Sequence, residues 1–335
     1  MTIKKNKNRN IFLNLEKVIA AILVILIHCH LPGNIGGILT AIARSGVAFF
    51  FLISGYFTFG IHDTNANTVI KKRIKKIFII LIWSLIIYFL WESLLRYKGG
   101  GLPKMVDWWT KEVFTFHTLY KSIILDYDPL VGHLWFLFAL IKSYILFWII
   151  FKVNKNVMKQ ICVVTGILLF IIQFYFTLSI YRNGWFYGIT FLLLGYLIAE
   201  NKEIIISKMK NSYLFLIFVI GIIFTLFEFS IFGEQQIYIG NIFISVGAFI
   251  LTLRVQPKEG KLVNYLNHIG EDLSMYMYII HWAIIDVFSQ IGRELNIFTE
   301  SWYSWLTFIL VSILSIIASE ILFRFFSSFK RERRI

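Results

Sequence analysis

The chain has 335 residues, 58% of them hydrophobic and only 16% charged, with a mean hydropathy of +0.73. That is more apolar surface than a water-soluble domain can hide. Its formal net charge is +14, from 33 Lys and Arg residues set in short clusters between apolar runs, a distribution that follows the positive-inside rule and argues against a nucleic-acid footprint. The two cysteines, Cys29 and Cys162, lie inside apolar runs and read as packing residues.

Residues 1–11 form a basic tail with Lys4, Lys5, Lys7 and Arg9. The tail is too polar for a signal h-region, and the run after it lacks a small-residue cleavage site, so it reads as a retained first span. A helix needs about 20 residues to cross the hydrocarbon core. Runs near that length lie at 12–31, 37–60, 77–96, 133–151 and 160–180. Five more follow at 184–199, 212–232, 237–253, 272–291 and 302–326, the sixth of the ten being short. Alternate connections are basic: the loop 61–76 with Lys71, Lys72, Arg73, Lys75 and Lys76, then Lys152, Lys155 and Lys159, then Lys202, Lys208 and Lys210. Arg254, Lys258 and Lys261 continue the pattern, and Lys330, Arg331, Arg333 and Arg334 end it in the basic tail 327–335. The intervening connections at 32–36 and 233–236 carry no Lys or Arg. The expected fold is an all-α polytopic membrane bundle, one domain over 1–335, with about ten transmembrane helices and both termini cytoplasmic. The segment 97–132 falls outside by alternation although it holds Lys98, Lys104, Lys111 and Lys121. With its aromatic residues and the turn-forming glycines at 99–101, part of it is expected in the membrane interface.

Ionisable groups inside apolar runs are costly unless paired or hydrated, so their positions carry information. His28 and His30 lie near the outer end of span 1, Arg44 in the outer third of span 2 and Glu92 near the outer end of span 3. His133 opens span 4, Glu228 lies in span 7, and His281 and Asp286 in span 9. Alternate spans run in opposite directions, so this shared outer depth is not a product of chain order. Lys142 and Glu320 are the main exceptions. A purely structural reading has these groups pairing helices, for example Arg44 with Glu228, and Glu92, His30 and Asp286 snorkelling to the interface. Within span 1, Lys17 and His28 are eleven residues apart, about three helical turns or about 16 Å on one face. Ala20, Ala21 and Val24 lie between them. The stripe reads either as a narrow lane between a cationic anchor and an imidazole, or as a snorkelling Lys and a His bonded to a neighbouring helix.

Several stretches match a known pattern in order along the chain. EKVIAAILVILIH at 16–28 places a basic residue, Lys17, before a His, His28, with ten residues between them. RSGVAFFFLISGYF at 44–57 is followed by KKRIKK at 71–76, then HLWFL at 133–137 and IGEDLSMYMYIIH at 269–281. The chain thereby resembles acyltransferase family 3 of membrane-bound bacterial O-acyltransferases. It is also similar to the membrane half of membrane-bound serine racemases.

The resemblance implies transfer of an acetyl group from cytosolic acetyl-CoA to a hydroxyl of a cell-surface or cell-wall glycan or its lipid-linked precursor, in a bacterial plasma membrane. His28 would be the catalytic centre, as general base or as nucleophile. Arg44 would stabilise an oxyanion or face a span-9 carboxylate, and His281 would stand near the reaction centre. Lys17, Arg73 and Lys76 would meet the CoA phosphates, with Lys72 and Lys75 as the alternative register. Glu92, His133, Glu228 and Asp286, at the outer depth, are the candidates for binding the acceptor, while Ser54, Gly55 and Tyr56 read as packing. No metal is expected. The expected partners are the glycan acceptor, membrane lipids and a protein that handles the acceptor, with no nucleic acid. A second implied function is transport or binding of a small molecule, as in the amino-acid-supplying membrane half of a serine racemase. The soluble racemase domain joined to that half is not expected within these residues.

Overall fold

The computed structural model describes residues 11–59, 63–175, 182–254, 258 and 260–332. The basic tail through residue 10, positions 61 and 62 of the basic loop, positions 176–180 of the fifth expected span and the last three residues lie outside the described residues. Every regular element among the described residues is helical. In chain order these are α1 (Ile11–His28), α2 (Gly33–Ala43), α3 (Ser45–Tyr56), α4 (Asp63–Trp108), α5 (Phe116–Leu125), α6 (Trp135–Val153) and α7 (Lys155–Tyr175). Then come α8 (Ile189–Glu200), α9 (Lys202–Lys208), α10 (Asn211–Phe232), α11 (Gly240–Arg254), α12 (Lys261–His268), α13 (Ser274–Glu294) and α14 (Ser301–Glu332). Single π-helical turns follow α4 at Trp109–Val113 and precede α8 at Gly184–Gly188 and α13 at Ile269–Leu273.

Among the described residues, six helical stretches are long and apolar enough to cross a membrane: Ile11–His28, Gly33–Tyr56, Asn67–Val113, Trp135–Lys152, Asn211–Phe232 and Ser301–Ser327. Lys159–Leu168, Gly184–Glu200 and Gly240–Arg254 are apolar but shorter. Helix α13 has the length, yet Tyr276, Tyr278, His281, Asp286 and Arg293 dilute its apolar character. Length and composition therefore support six of the expected spans directly. The second of them bends at Arg44, between α2 and α3, where Ser45 Oγ donates to the Ile42 carbonyl at 2.7 Å. The segment 97–132, expected as a loop, is largely helical. Helix α4 runs through it, broken at Gly100 and the left-handed Gly101, and α5 follows with Thr115 as its N-cap, accepting from the Thr118 N–H.

The chain divides into two compact units, residues 1–50 with 202–335, and residues 51–201. In the first unit α1 is central. Val18, Ala21 and Ile25 pack with Ile269, Leu273 and Met277 and with Val311 of α14. Small residues on α1 allow this close approach, the usual device where lipid removes any hydrophobic drive between helices. Along the stripe from Lys17 to His28, Ala20, Ala21 and Val24 are all buried. Helix α11 is tied to its neighbours by polar side chains. Asn241 Nδ2 donates to the Ala41 carbonyl at 3.1 Å, Ser245 Oγ to the Ser45 carbonyl at 3.2 Å, and Thr252 Oγ1 to Glu16 Oε2 at 3.0 Å.

In the second unit the SGY stretch of α3 serves packing. A Cβ on Gly55 would stand 1.8 Å from the Leu192 carbonyl oxygen, and one on Gly195 would stand 2.0 Å from that of Leu52. Backbones of α3 and α8 approach this closely only because both positions are glycine.

Candidate functional site

Helix α1 delivers His28 as its last residue, half-buried. Helix α13 brings His281 to it from the other end of the sequence. The two imidazole rings lie 5.4 Å apart with 34° between their planes. Trp282 meets His28 edge-on at 5.2 Å, and Tyr278 stands 6.1 Å from His281. His281 is fully buried. Its Nδ1 lies 3.2 Å from the Met277 carbonyl. A carbonyl only accepts, so this contact assigns the hydrogen to Nδ1 and makes Nε2 the lone-pair end of the ring. The pair can therefore accept a proton at one imidazole while the second holds a defined tautomer beside it.

The other candidate residues of the first unit separate into two groups. Arg44, at the bend between α2 and α3, donates from Nη1 to Gln236 Oε1 at 2.9 Å. Glu228 is buried and uses both carboxylate oxygens on the backbone, accepting from the Ile239 N–H at 3.0 Å and the Gly240 N–H at 2.9 Å. These are the first orphan donors of α11, so the carboxylate completes that helix end. Asp286 is half-buried on α13, beyond His281. At the opposite end of α1, Lys17 is half-buried and donates to Asn14 Oδ1 at 3.0 Å.

The second unit holds the remaining candidates. Lys72, Lys75 and Lys76 are exposed, whereas Arg73 turns inward to the end of α3. It donates to the Phe57 carbonyl at 2.7 Å and to Thr58 Oγ1 at 2.9 Å, with Tyr144 Oη 3.5 Å away. A cation at a helix C-terminus satisfies the last carbonyls and the dipole. Beside this basic cluster, Lys71 and Lys152 both lie over the Trp148 ring, at 5.5 and 4.1 Å, and the indole N–H donates to Asn67 Oδ1 at 2.6 Å.

Toward the other end of α6, His133 is buried with its ring 5.1 Å from that of Tyr88. Glu92 is buried one turn from Arg96, 3.8 Å away. Asp128 accepts from the N–H groups of Leu130 and Leu134, both at 3.0 Å, just before α6 begins. Asp126 pairs with Lys142 at 2.6 Å and accepts from the Gly184 N–H at 2.7 Å. Burial pushes both carboxyls up from their ordinary value; Lys142 and the Gly184 N–H oppose this at Asp126, and four backbone N–H groups oppose it at Asp128. Sequence reading missed the partners Asn14, Trp282 and Asp126. Asn14 lies one turn before Lys17 on the same face, which is the one signal that points to it.

The family model for an acyltransferase domain matches residues 10–324. The chain belongs to this family, acyltransferase family 3. An amino-acid racemase of Enterococcus faecalis is 26% identical over 364 residues, covering 98% of this chain and 47% of that protein. A serine/alanine racemase of Enterococcus gallinarum is 25% identical over 345 residues, covering 92% of this chain and 45% of that protein. The chain therefore spans about half the length of the curated relatives it matches. No solved structure matches it. Family membership places the paired histidines in a domain whose members are described as acyltransferases, which gives the imidazoles a chemistry to be tested against.

Proposed function

We propose that this family member is a bacterial plasma-membrane O-acetyltransferase, with about ten spans and cytoplasmic termini. It moves an acetyl group from cytosolic acetyl-CoA to a hydroxyl of a surface or cell-wall glycan or its lipid-linked precursor. The observation that carries the reading is the His28 and His281 pair, at one end of the helix whose other end holds Lys17. In the direct route the acceptor O–H gives its proton to the His28 imidazole as the oxygen bonds to the thioester carbonyl carbon. The C–S bond then breaks, and the CoA thiolate leaves with the proton returned by the imidazolium. In the covalent route the imidazole nitrogen bonds to the thioester carbon and the C–S bond breaks, releasing the CoA thiolate; the acceptor oxygen then bonds to that carbon, the N–C bond breaks, and the hydroxyl proton passes to the thiolate.

His281 orients the site, and Arg44, as the nearest cation in sequence to the α3 motif, is assigned the oxyanion. Lys17 and the exposed Lys72, Lys75 and Lys76 supply charge for the CoA phosphates. The bonds that Arg73 already makes to α3 favour a supporting role for it over direct phosphate contact. Glu92, His133, Glu228 and Asp286 are kept as acceptor-side candidates. Of these, Glu228 is already committed to α11 through two backbone bonds. A separate protein that presents the acceptor completes the reading. Mass spectrometry of surface glycans from cells with and without the gene tests it: the expected result is loss of one acetyl unit per repeat, and an unchanged mass in every surface polymer would overturn it.

A second reading has the chain as a small-molecule transporter or binding domain. It rests on the resemblance to the membrane half of serine racemases; this chain covers just under half of the two racemase relatives. Proteoliposomes separate the readings. Acetyl-CoA-dependent transfer without serine or alanine uptake supports the first, and uptake without transfer supports the second.

A further inference from the structure

Lys17 stands at the head of a line of side-chain amides. Asn14, buried one turn earlier on α1, accepts from Lys17 Nζ through Oδ1 at 3.0 Å and donates from Nδ2 to Asn267 Oδ1 at 2.9 Å. The direction of this line is fixed by chemistry. An ammonium can only donate, so the Asn14 oxygen faces it and the Asn14 NH2 faces Asn267.

Asn267 is itself held. It precedes His268, whose Nδ1 lies 2.9 Å from Asp272 Oδ2 and whose Nε2 lies 2.7 Å from Glu320 Oε2 of α14. Arg324 Nε donates to the other Glu320 oxygen at 2.6 Å. The turn after α12 presses on α1 at the same place: a Cβ on Gly270 would stand 1.8 Å from the Asn14 carbonyl oxygen. Only glycine permits that approach. The end of α12 is thus clamped to α14 on one side and to the first turn of α1 on the other.

We propose that Asn14 and Asn267 are positioning residues for the acyl donor, holding the Lys17 ammonium in one conformation with its charge presented to a phosphate of coenzyme A. This rests on the acetyltransferase reading above. A lysine side chain has four flexible carbons and loses rotamer freedom when it grips a ligand, so a partner that orders it beforehand improves affinity. A neutral amide suits that task. An apolar group in its place would remove the bond that orders the lysine stem.

The test compares two donors, acetyl-CoA and S-acetylpantetheine, which keeps the thioester and lacks every phosphate. Purified full-length wild type, Lys17→Ala, Asn14→Ala and Asn267→Ala are assayed for acetyl transfer to water or an added sugar. For Asn14→Ala the KM for acetyl-CoA is expected to rise about tenfold, the loss of one hydrogen bond to a charged group, with kcat within about twofold. Asn267→Ala, one bond further from the charge, is expected to raise it about threefold. Neither substitution changes kcat/KM for S-acetylpantetheine. Equal losses on both donors, or a fall in kcat at constant KM, would overturn the positioning role. If Lys17→Ala separates the donors and both Asn variants behave as wild type, the inference fails alone. If wild type transfers from neither donor, the acetyltransferase reading fails and takes the inference with it. Asn267→Ala keeps the question open to refutation should Asn14→Ala fail to fold.

Discussion

The imidazoles of His28 and His281 lie 5.4 Å apart, one half-buried at the end of α1 and the other fully buried in α13. Their unequal burial separates chemistry from stability. His28→Ala is expected to lower kcat for acetyl transfer by about 100-fold or more, the scale of a lost general base, with little change in the thermal midpoint. His281→Ala is expected to lower both, because it removes a buried ring and its bond to the Met277 carbonyl. Kinetics and thermal unfolding in detergent check this, and wild-type turnover by His28→Ala would remove His28 from the mechanism.

The pairing of Lys142 with Asp126 at 2.6 Å makes a second prediction, in the other unit. Asp126 is almost completely buried. Lys142→Met leaves that carboxyl without its cation and is expected to cost about 3–5 kcal/mol. Adding Asp126→Asn to Lys142→Met is expected to recover a large part of the loss, since an uncharged amide still meets the Gly184 N–H only if its oxygen turns that way and carries no charge to strand. Chemical unfolding of the single and double variants measures the coupling.

Glu228→Ala strips two hydrogen bonds from the start of α11 and is expected to destabilise the protein by about 1–3 kcal/mol. Glu228→Gln keeps one accepting oxygen and is expected to lose less. If acetyl transfer by the folded fraction of Glu228→Gln is unchanged, the residue serves the helix end and not the acceptor.

His268 gives a pH dependence. Burial pulls its pKa down, but the hydrogen bonds from Glu320 and Asp272 outweigh this and leave it raised above the ordinary value of 6.5. A raised folded value stabilises the protonated fold. The contribution is therefore complete below pH 6.5 and is lost as the pH climbs through the folded value. Thermal midpoints of wild type and His268→Gln are expected to differ most at acid pH and to converge on the alkaline side. A gap that widens with pH would contradict the sign.

What could be read from the sequence follows from what lipid imposes. Apolar length identified α1, the α2 and α3 pair, α4, α6, α10 and α14, because a backbone in hydrocarbon must satisfy itself within a helix. It was weaker for α13, whose polar residues include His281, and for α8 and α11, which begin only after a turn or a capped connection. The glycines at 99–101 signalled a break correctly, but the helix resumes beyond them. Around the candidate site, the shared depth of polar residues had two causes that composition cannot separate. His28 and His281 meet each other, whereas Glu228 stands where α11 starts, because the first N–H groups of that helix need acceptors. Between Lys17 and His28 the small side chains fit a narrow lane and a close helix contact alike, and Ala21 packs into the core there.

The carboxylate that completes α11 belongs to α10, and this constrains the order of assembly. Until α10 is alongside, the Ile239 and Gly240 N–H groups lack the Glu228 carboxylate, and a buried backbone group left unmet costs about 1–3 kcal/mol. Thr225 of α10, one turn before Glu228, also donates to Asn241 Oδ1 of α11 at 3.2 Å. The two helices therefore form most favourably as a hairpin, and α10 packed without α11 would leave the Glu228 carboxylate without the two N–H groups it accepts from.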